Sequence, residues 1–190
     1  SASHQRKTIG KCFGEMLFTK KGLSGPIALS LSSLINRLSG VELYLDLKPA
    51  LDNSTLDNRL LREFSDKNRK VLKSVLRSLM PARLVDYVAN HAGISPEKST
   101  SEITKEERKK LLEALKKLKF TLKELAPFTE AIVSSGGVSV AEIKPTMEAK
   151  NVPGLYFAGE TIDVDAFTGG FNLQIAFSTG YTAGKSAALS

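Results

Sequence analysis

The chain has 190 residues, 42% of them hydrophobic and 25% charged, which is enough for one domain or two small ones with a hydrophobic core. This composition excludes an intrinsically disordered chain. A single cysteine, Cys12, excludes a disulfide framework and a zinc site built from several cysteines. Because no apolar run reaches the roughly 18 residues that span a bilayer, we expect a cytoplasmic protein without a membrane partner.

The charge of the chain is unevenly distributed. The formal net charge is +7. Residues 54–119 contain 16 lysines and arginines against 9 aspartates and glutamates, whereas the remaining residues contain 11 of each. The whole surplus lies in this segment, which predicts that residues 54–119 form a separate unit.

Helix signals follow one another through this central segment. A start resembling a capping box at residues 54–57 opens a short helix, and a second helix is predicted from about Asn68. Pro81 is suited to the first position of a third helix, and the capping box Thr104-x-x-Glu107 opens a fourth. The fourth helix is predicted to turn Leu111, Leu112, Leu115 and Leu118 inward. Four short amphipathic helices indicate a small bundle.

The basic surface of this bundle has two interpretations. The cations could bind phosphate, but glutamates alternate with them, and we favour an ordinary solvated surface. The segment contains no tryptophan and shows no aromatic stacking platform or recognition-helix motif, so the sequence argues against a nucleic-acid partner. The cations at the fourth helix are Lys105, Arg108, Lys109, Lys110, Lys116, Lys117 and Lys119.

The flanking segments are predicted to form strands, tight turns and two helices. One helix begins at Pro26, with Ser24 or Gly25 as its cap. Its free N–H groups could hold an anion, or the helix could simply be capped, and both interpretations stay open. Strands are predicted at residues 15–19, 41–47, 130–133 and 155–158.

The end of the chain has the pattern of a dinucleotide site. A buried strand is predicted to end at Gly159-Glu160, and Gly169-Gly170 opens the last helix after a loop. A glycine lets the backbone approach a cofactor, a carboxylate accepts hydrogen bonds from sugar hydroxyls, and a helix N-terminus offers N–H groups to a ring or a phosphate. Asp163 and Asp165 could face the same way, but no histidine or third cluster supports a metal, so loop capping and cofactor hydroxyl contacts are the preferred interpretation.

One side of the last helix carries very small residues, which favours close packing against another element. We expect that element to be a dinucleotide-fold helix outside this chain, or a second copy. The small residues are Ala176, Thr179, Gly180, Ala183, Gly184 and Ala187.

Four motifs occur together in one order: Phe18-Thr19 with Gly22-Leu23-Ser24-Gly25-Pro26, then Gly136-Gly137-Val138, then residues 153–160, then residues 163–174. In combination they resemble the bacterial FAD-dependent oxidoreductase family named aminoacetone-oxidase-like, which includes bile-acid enone reductases. The resemblance covers the chain from about Gly10. One departure is Lys20, where many members carry histidine, so no acid or base is assigned to that loop.

The resemblance implies an α+β fold. A β-rich substrate-side domain is interrupted by a small helical bundle, and the chain ends with the strand-helix piece of a dinucleotide-binding FAD domain. The implied boundaries are 1–53 for the β-rich domain with one helix, 54–119 for the helical insert, 120–146 for the return to the β-rich domain, and 147–190 for the FAD-binding segment.

The resemblance also implies a set of site residues. The catalytic residue stays unassigned, and no metal is expected. On the substrate side lie Ser24, Gly25, Gly136 and Gly137. The expected flavin-side contacts are Gly159, Glu160, Asp165, Gly169, Gly170, Phe171, Asn172 and Leu173.

The sequence lacks G-x-G-x-x-G, the motif that holds the pyrophosphate of a dinucleotide. Because the chain also starts at Ser1 without a methionine, we expect it to be the C-terminal part of a longer enzyme. That enzyme would use FAD and NAD(P)H on a small organic substrate. Its partner would be the N-terminal FAD-binding half, and the isolated chain should not retain FAD. The alternative is a non-enzymatic interaction module that binds through its basic helical bundle.

Overall fold

The computed structural model describes residues 1–4, 7–65 and 70–190. The chain divides into two compact units. Unit 1 comprises Ser1 and residues 42–121, and unit 2 comprises residues 2–41 and 122–190. Both units contain helices, and the strands pair antiparallel, so the fold is mixed α and β, as predicted in outline.

Unit 2 begins with two small antiparallel pairs of strands and one helix. The Gly25 cap and the Pro26 start of this helix are confirmed. Gly25 has a φ of 92°, and a Cβ there would lie 3.0 Å from the backbone nitrogen of Leu17. Only glycine combines this φ with such a close approach. The elements are β1 (Ala2–His4) with β2 (Lys7–Gly10), β3 (Leu17–Phe18) with β4 (Leu23–Ser24), and α1 (Pro26–Ile35).

Unit 1 combines a strand pair with the predicted helices. In the pair, Leu45 lies opposite Leu118. The elements are β5 (Glu42–Leu45), α2 (Asn53–Phe64), α3 (Leu72–Leu79), α4 (Ala82–His91), a 3₁₀ turn (Thr100–Glu102), α5 (Lys105–Lys116) and β6 (Leu118–Thr121).

The helix starts differ from the predicted ones in detail. The cap of α2 is Asp52, whose carboxylate accepts a hydrogen bond from the N–H of Thr55 at 2.7 Å, so the predicted start at residues 54–57 is two residues late. Asn68, the predicted start of the second helix, lies outside the described residues. Pro81 occupies the N-cap of α4 and not its first helical position.

The capping box of α5 is confirmed in full. The Thr104 hydroxyl accepts a hydrogen bond from the N–H of Glu107 at 3.2 Å, and the Glu107 carboxylate accepts one from the N–H of Thr104 at 2.8 Å. The ammonium of Lys98 donates to the same carboxylate at 2.7 Å. Both hydrogen bonds lower the pKa of Glu107, the one from Lys98 more than the one from the N–H of Thr104.

The core of unit 1 is continuous and well buried. It comprises side chains from all four helices and from β6, and Leu111, Leu115 and Leu118 are each 0% exposed. The predicted inward positions are therefore confirmed, with Leu112 partly buried against the same cluster. Leu118, however, lies in β6 and not on α5, which ends at Lys116. Among the large hydrophobic side chains described as exposed, only Leu61 and Tyr87 belong to unit 1.

The C-terminal part of unit 2 contains less regular structure than expected. The predicted strands at 130–133 and 155–158 are wrong. The first range begins inside a 3₁₀ turn (Phe128–Glu130), and in the second only Tyr156 forms a bridge. Leu155 is 41% exposed, so this segment is not the fully buried strand that its apolar composition predicted. Two further 3₁₀ turns (Val140–Glu142 and Gly159–Thr161) precede α6 (Phe171–Leu189). No helix in the described part of the chain is long and apolar enough to cross a bilayer.

Candidate cofactor segment

The start of α6 is an open backbone surface. Gly169 and Gly170 have φ values of 123° and 88°, and a Cβ on Gly170 would meet nothing within 4 Å. Gly170 is the N-cap and contributes no side-chain hydrogen bond to the helix. The first N–H groups of α6 therefore lack a side-chain cap, which leaves the positive end of the helix dipole available to a ligand.

Asn172 holds the loop that precedes this helix. Its side-chain amide donates to the carbonyl of Ala166 at 2.9 Å and accepts from the N–H of Ala166 at 2.8 Å. Asn172 was predicted as a flavin contact. In the structure both polar atoms of its side chain bind the loop, so its observed role is to position the loop. Phe171 and Leu173, its neighbours and also predicted contacts, have exposed side chains.

The same loop is bound from the other side by α1 and the residues just after it. The hydroxyls of Ser30 and Thr168 lie 3.0 Å apart, and the Ser33 hydroxyl donates to Asp165. Arg37 reaches Asp163 at 3.4 Å. The carboxylate of Asp165, a predicted cofactor contact, is thus hydrogen-bonded within unit 2.

Ser30, Ser33 and Arg37 were missed by the sequence analysis. Their spacing of three and four residues places them on one side of a helix. A polar line on an otherwise apolar helix is a detectable signal, but the sequence does not say which segment it contacts.

Gly159 and Glu160 differ in their surroundings. The N–H of Gly159 donates to the hydroxyl of Thr179 in α6 at 2.9 Å, and a Cβ on Gly159 would lie 3.6 Å from that of Ala176. Glu160 is exposed. Within the described ranges, its carboxylate has neither an ion pair nor a hydrogen-bond partner, so it is available to accept hydrogen bonds.

The Gly136-Gly137 turn lies beside the residues that follow Glu160. A Cβ on Gly137 would come within 2.5 Å of the carbonyl oxygen of Thr161. Val138 donates a backbone hydrogen bond to that oxygen at 2.8 Å and accepts one from Asp163 at 2.9 Å. Another backbone thus approaches closely at Gly137, whereas a Cβ on Gly136 would meet nothing within 4 Å.

A cavity of ≈ 330 Å³ opens near the predicted substrate side of unit 2. Ser24 and Gly25 directly precede Pro26, which is part of its wall. The cavity joins segments about 150 residues apart in the chain, so no local sequence signal could have shown it. Its lining residues are Cys12, Phe13, Gly14, Pro26, Ile27, Ser30, Phe167 and Thr168.

One carboxylate stabilises the turn that leads into the cofactor segment. Glu148 accepts a hydrogen bond from the ammonium of Lys144 at 2.7 Å and one from the N–H of Gly154 at 3.0 Å. Both hydrogen bonds lower the pKa of Glu148, the one from Lys144 more than the one from Gly154. Over the described ranges, histidine, cysteine, aspartate and glutamate side chains form no group of three or more that could hold a metal ion.

Comparison with known proteins gives two family matches. Residues 1–133 match the HI0933-like protein barrel and H2TH domain. Residues 97–186 match the HI0933-like protein Rossmann domain.

Three curated relatives match almost the whole chain. A ribosomal RNA dihydrouridine synthase of Haemophilus influenzae is 33% identical over 90% of this chain and 42% of its own length, and one of Escherichia coli K12 gives the same values. A 3-dehydro-bile acid delta(4,6)-reductase of Clostridium scindens is 29% identical over 96% of the chain and 46% of its own length. The chain thus spans less than half of each relative.

These matches support the predicted relationship to oxidoreductases that include a bile-acid reductase. The narrower name, aminoacetone-oxidase-like, and the C-terminal placement stay predictions. Because the barrel and H2TH match alone covers more than half of the 190 residues, the chain belongs to the HI0933-like family.

Proposed function

We propose that the chain is the cofactor-covering, C-terminal part of an FAD-dependent oxidoreductase that reduces a carbon–carbon double bond with electrons from NAD(P)H. Two relatives support the reaction class. One is named for making dihydrouridine, which is uridine with two added hydrogens, and one is named a delta(4,6)-reductase. Both names describe the saturation of a double bond.

The observation that carries this proposal is the loop at residues 163–168. It is held on one side by Ser30 and Ser33 of α1 and on the other by Asn172. Immediately after it, Gly169 and Gly170 open α6 without a side-chain cap. A braced loop that ends in an uncapped helix start suits a site that must hold a flat, electron-rich ring in one orientation.

The residues present fit FAD. Gly170 has free space where a side chain would stand, so a ring can lie against the backbone, and the N–H groups of α6 can donate to its polar edge. Glu160 offers an unpaired carboxylate to sugar-like hydroxyls. FAD, when bound, supplies the hydride-transfer chemistry. The chain's own residues bind and orient, and the 330 Å³ cavity is at the small end of pockets that hold small molecules.

The exposed apolar side of α6 also supports a longer protein. Leu173, Phe177 and Tyr181 recur every four residues and are each more than 60% exposed. Such a face is typical of a contact with another element. We propose that this face of α6 packs against an FAD-binding half. The relatives are more than twice as long as the matched region, so they are long enough to contain such a half.

Replacing Glu160 tests the cofactor assignment, in the longer protein that joins this chain to a half carrying G-x-G-x-x-G. Glu160→Gln keeps the shape but removes the charge, so a charge-assisted hydrogen bond of about 1.5–3 kcal/mol is weakened. We expect a roughly tenfold to hundredfold loss of FAD affinity, measured by flavin absorbance during titration. Glu148→Gln, which removes a carboxylate from a structural turn, is the control and should lower the melting temperature with a smaller effect on affinity.

Replacing Gly170 tests the approach of the ring to the backbone. Gly170→Val places branched carbon over the helix start, where space is now free, and should reduce flavin occupancy more than the stability of the apo protein. The substituted residue also has a positive φ, which strains the backbone by about 1–3 kcal/mol. The apo melting temperature of the same variant separates the two effects. Unchanged FAD affinity with a lowered melting temperature would remove Gly170 from the cofactor site.

A non-enzymatic interaction module is the second candidate, and the basic surface of unit 1 favours it. The two candidates differ in one measurement. An enzyme predicts that the longer protein binds FAD and oxidises NAD(P)H in the presence of a conjugated substrate. A module predicts neither, whatever the length of the chain.

A further inference from the structure

Three aromatic side chains of unit 1 form a stack at its surface. The ring centroids of Tyr87 and Phe120 are 5.8 Å apart with the planes at 4°, and those of Tyr87 and His91 are 6.2 Å apart at 20°. These values lie in the range of stacked aromatic pairs. We call Phe120, Tyr87 and His91 the aromatic stack.

The stack is not simply part of the core. Phe120 packs against the core cluster and anchors one end, but Tyr87 is 46% exposed and His91 is exposed as well. Since Leu61 and Tyr87 are the only large hydrophobic side chains of unit 1 described as exposed, an accessible tyrosine ring is unusual in this unit. The ring of Tyr87 keeps much of its surface in water, whereas the other large hydrophobic side chains of the helices are mostly buried in the core.

A free cation lies on the same side of α4. Arg83 precedes Tyr87 by four residues and His91 by eight, so the three side chains line one side of the helix. Arg83 is exposed, and the described residues offer it no ion-pair partner. By contrast Arg108, Lys116 and Lys98 are each paired with a carboxylate at 2.7 Å or less. Arg83 is thus available for an anion beside the stack.

We propose that the aromatic stack and Arg83 bind single-stranded RNA, with an unpaired base on the stack and the adjacent phosphate on Arg83. Aromatic rings that stack on bases, next to cations that follow the backbone, are how proteins hold single strands. The positive surplus of residues 54–119 complements the charge of such a strand. From the sequence, nucleic acid was disfavoured because glutamates alternate with the cations, tryptophan is absent, and neither a stacking platform nor a recognition-helix motif is evident. The aromatic stack offers a platform of the kind that the sequence did not show.

The choice of RNA rests on the proposed function, because two relatives are named for acting on ribosomal RNA. The site itself does not depend on that function. RNA binding at the aromatic stack requires neither FAD nor the second half of the enzyme. A failure to bind RNA and a failure to bind FAD are therefore separate results.

The test uses the 190-residue chain and a fluorescently labelled single-stranded RNA of mixed sequence, with affinity read from fluorescence anisotropy. Tyr87→Ala should weaken binding roughly 5- to 150-fold, the usual effect of losing one stacked base. Tyr87→Phe keeps the ring and should bind like the parent. Tyr87→Leu keeps apolar bulk without a ring, so it should also bind weakly, and it provides a folded variant if alanine destabilises the unit.

Salt dependence tests the role of Arg83. Losing one phosphate contact should reduce the slope of log affinity against log salt by about 0.7 for a single strand. We expect this change in Arg83→Gln. The matched control is Arg62→Gln, which removes the same charge from α2, a helix that packs mainly against α5, and it should leave the slope nearly unchanged.

Three results would overturn the proposal. The parent chain could show no RNA binding. Tyr87→Ala and Tyr87→Leu could bind RNA as tightly as the parent. Heparin could compete equally with the parent and all variants while the Tyr87 changes have no effect, which would show a general polyanion surface and no base-stacking site.

Discussion

Leu115→Ala is expected to lower the free energy of unfolding of unit 1 by about 2–5 kcal/mol, the usual cost of emptying a buried leucine site. Leu115 is 0% exposed and belongs to the cluster that all four helices of the unit share. Its carbonyl also accepts a hydrogen bond from the N–H of Leu47 at 2.9 Å, so the surrounding backbone has little freedom to close the cavity. Urea unfolding followed by helical circular dichroism measures the change.

Leu61→Ala is the matched control for this experiment. It makes the same change on α2, where the side chain is 41% exposed, and ordinary surface substitutions stay within about 0.5 kcal/mol. Equal losses for Leu115→Ala and Leu61→Ala would contradict the packing of α5 described above, since Leu115 is 0% exposed and Leu61 is 41% exposed.

Gly137→Ala should locally disrupt the pairing of Val138 with the segment after Glu160. The new Cβ would stand 2.5 Å from the carbonyl oxygen of Thr161, closer than any ordinary contact, and the obstructing atom is backbone that cannot rotate away. We expect faster amide hydrogen exchange at Val138 and Asp163, whose N–H groups bond across this pairing at 2.8 and 2.9 Å.

Gly136→Ala isolates the steric part of that effect. Gly136 and Gly137 have φ values of 112° and 140°, so both substitutions carry a backbone strain of about 1–3 kcal/mol. Only Gly137 has a close neighbour, and overpacking should add about 1–3 kcal/mol more. If the amide hydrogens of Val138 and Asp163 exchange at the same rate in both variants, backbone strain alone explains the result. The close approach at Gly137 then contributes no measurable free energy.

Local chemistry made several elements predictable. The capping box at Thr104 and Glu107, and the helix start at Gly25 and Pro26, need only residues within three positions of each other. Helical periodicity placed Leu115 inward for the same reason. Because these signals depend on backbone geometry and on one apolar side per helix, they survive without knowledge of the rest of the chain.

Short strands were predictable only in part: β3 and β5 lie inside the predicted strands at 15–19 and 41–47, but the other predicted strands are absent. The apolar run at residues 155–158 has the composition of a buried strand, but a strand needs a partner with unpaired N–H and C=O groups. In the structure only Tyr156 has a bridge partner, Glu148. A run of four apolar residues contains no information about that partner.

The sequence by itself determined the helices of unit 1, the positive surplus of residues 54–119 and the glycine pair that opens α6. Only the tertiary structure decided which side chains serve these features: Ser30 and Ser33 brace a loop more than 130 residues away, and Phe120 joins Tyr87 and His91 in one stack. The physical reason is that hydrogen bonds and ring stacking act over a few ångströms, whereas the residues that make them are separated along the chain by distances that no local pattern encodes.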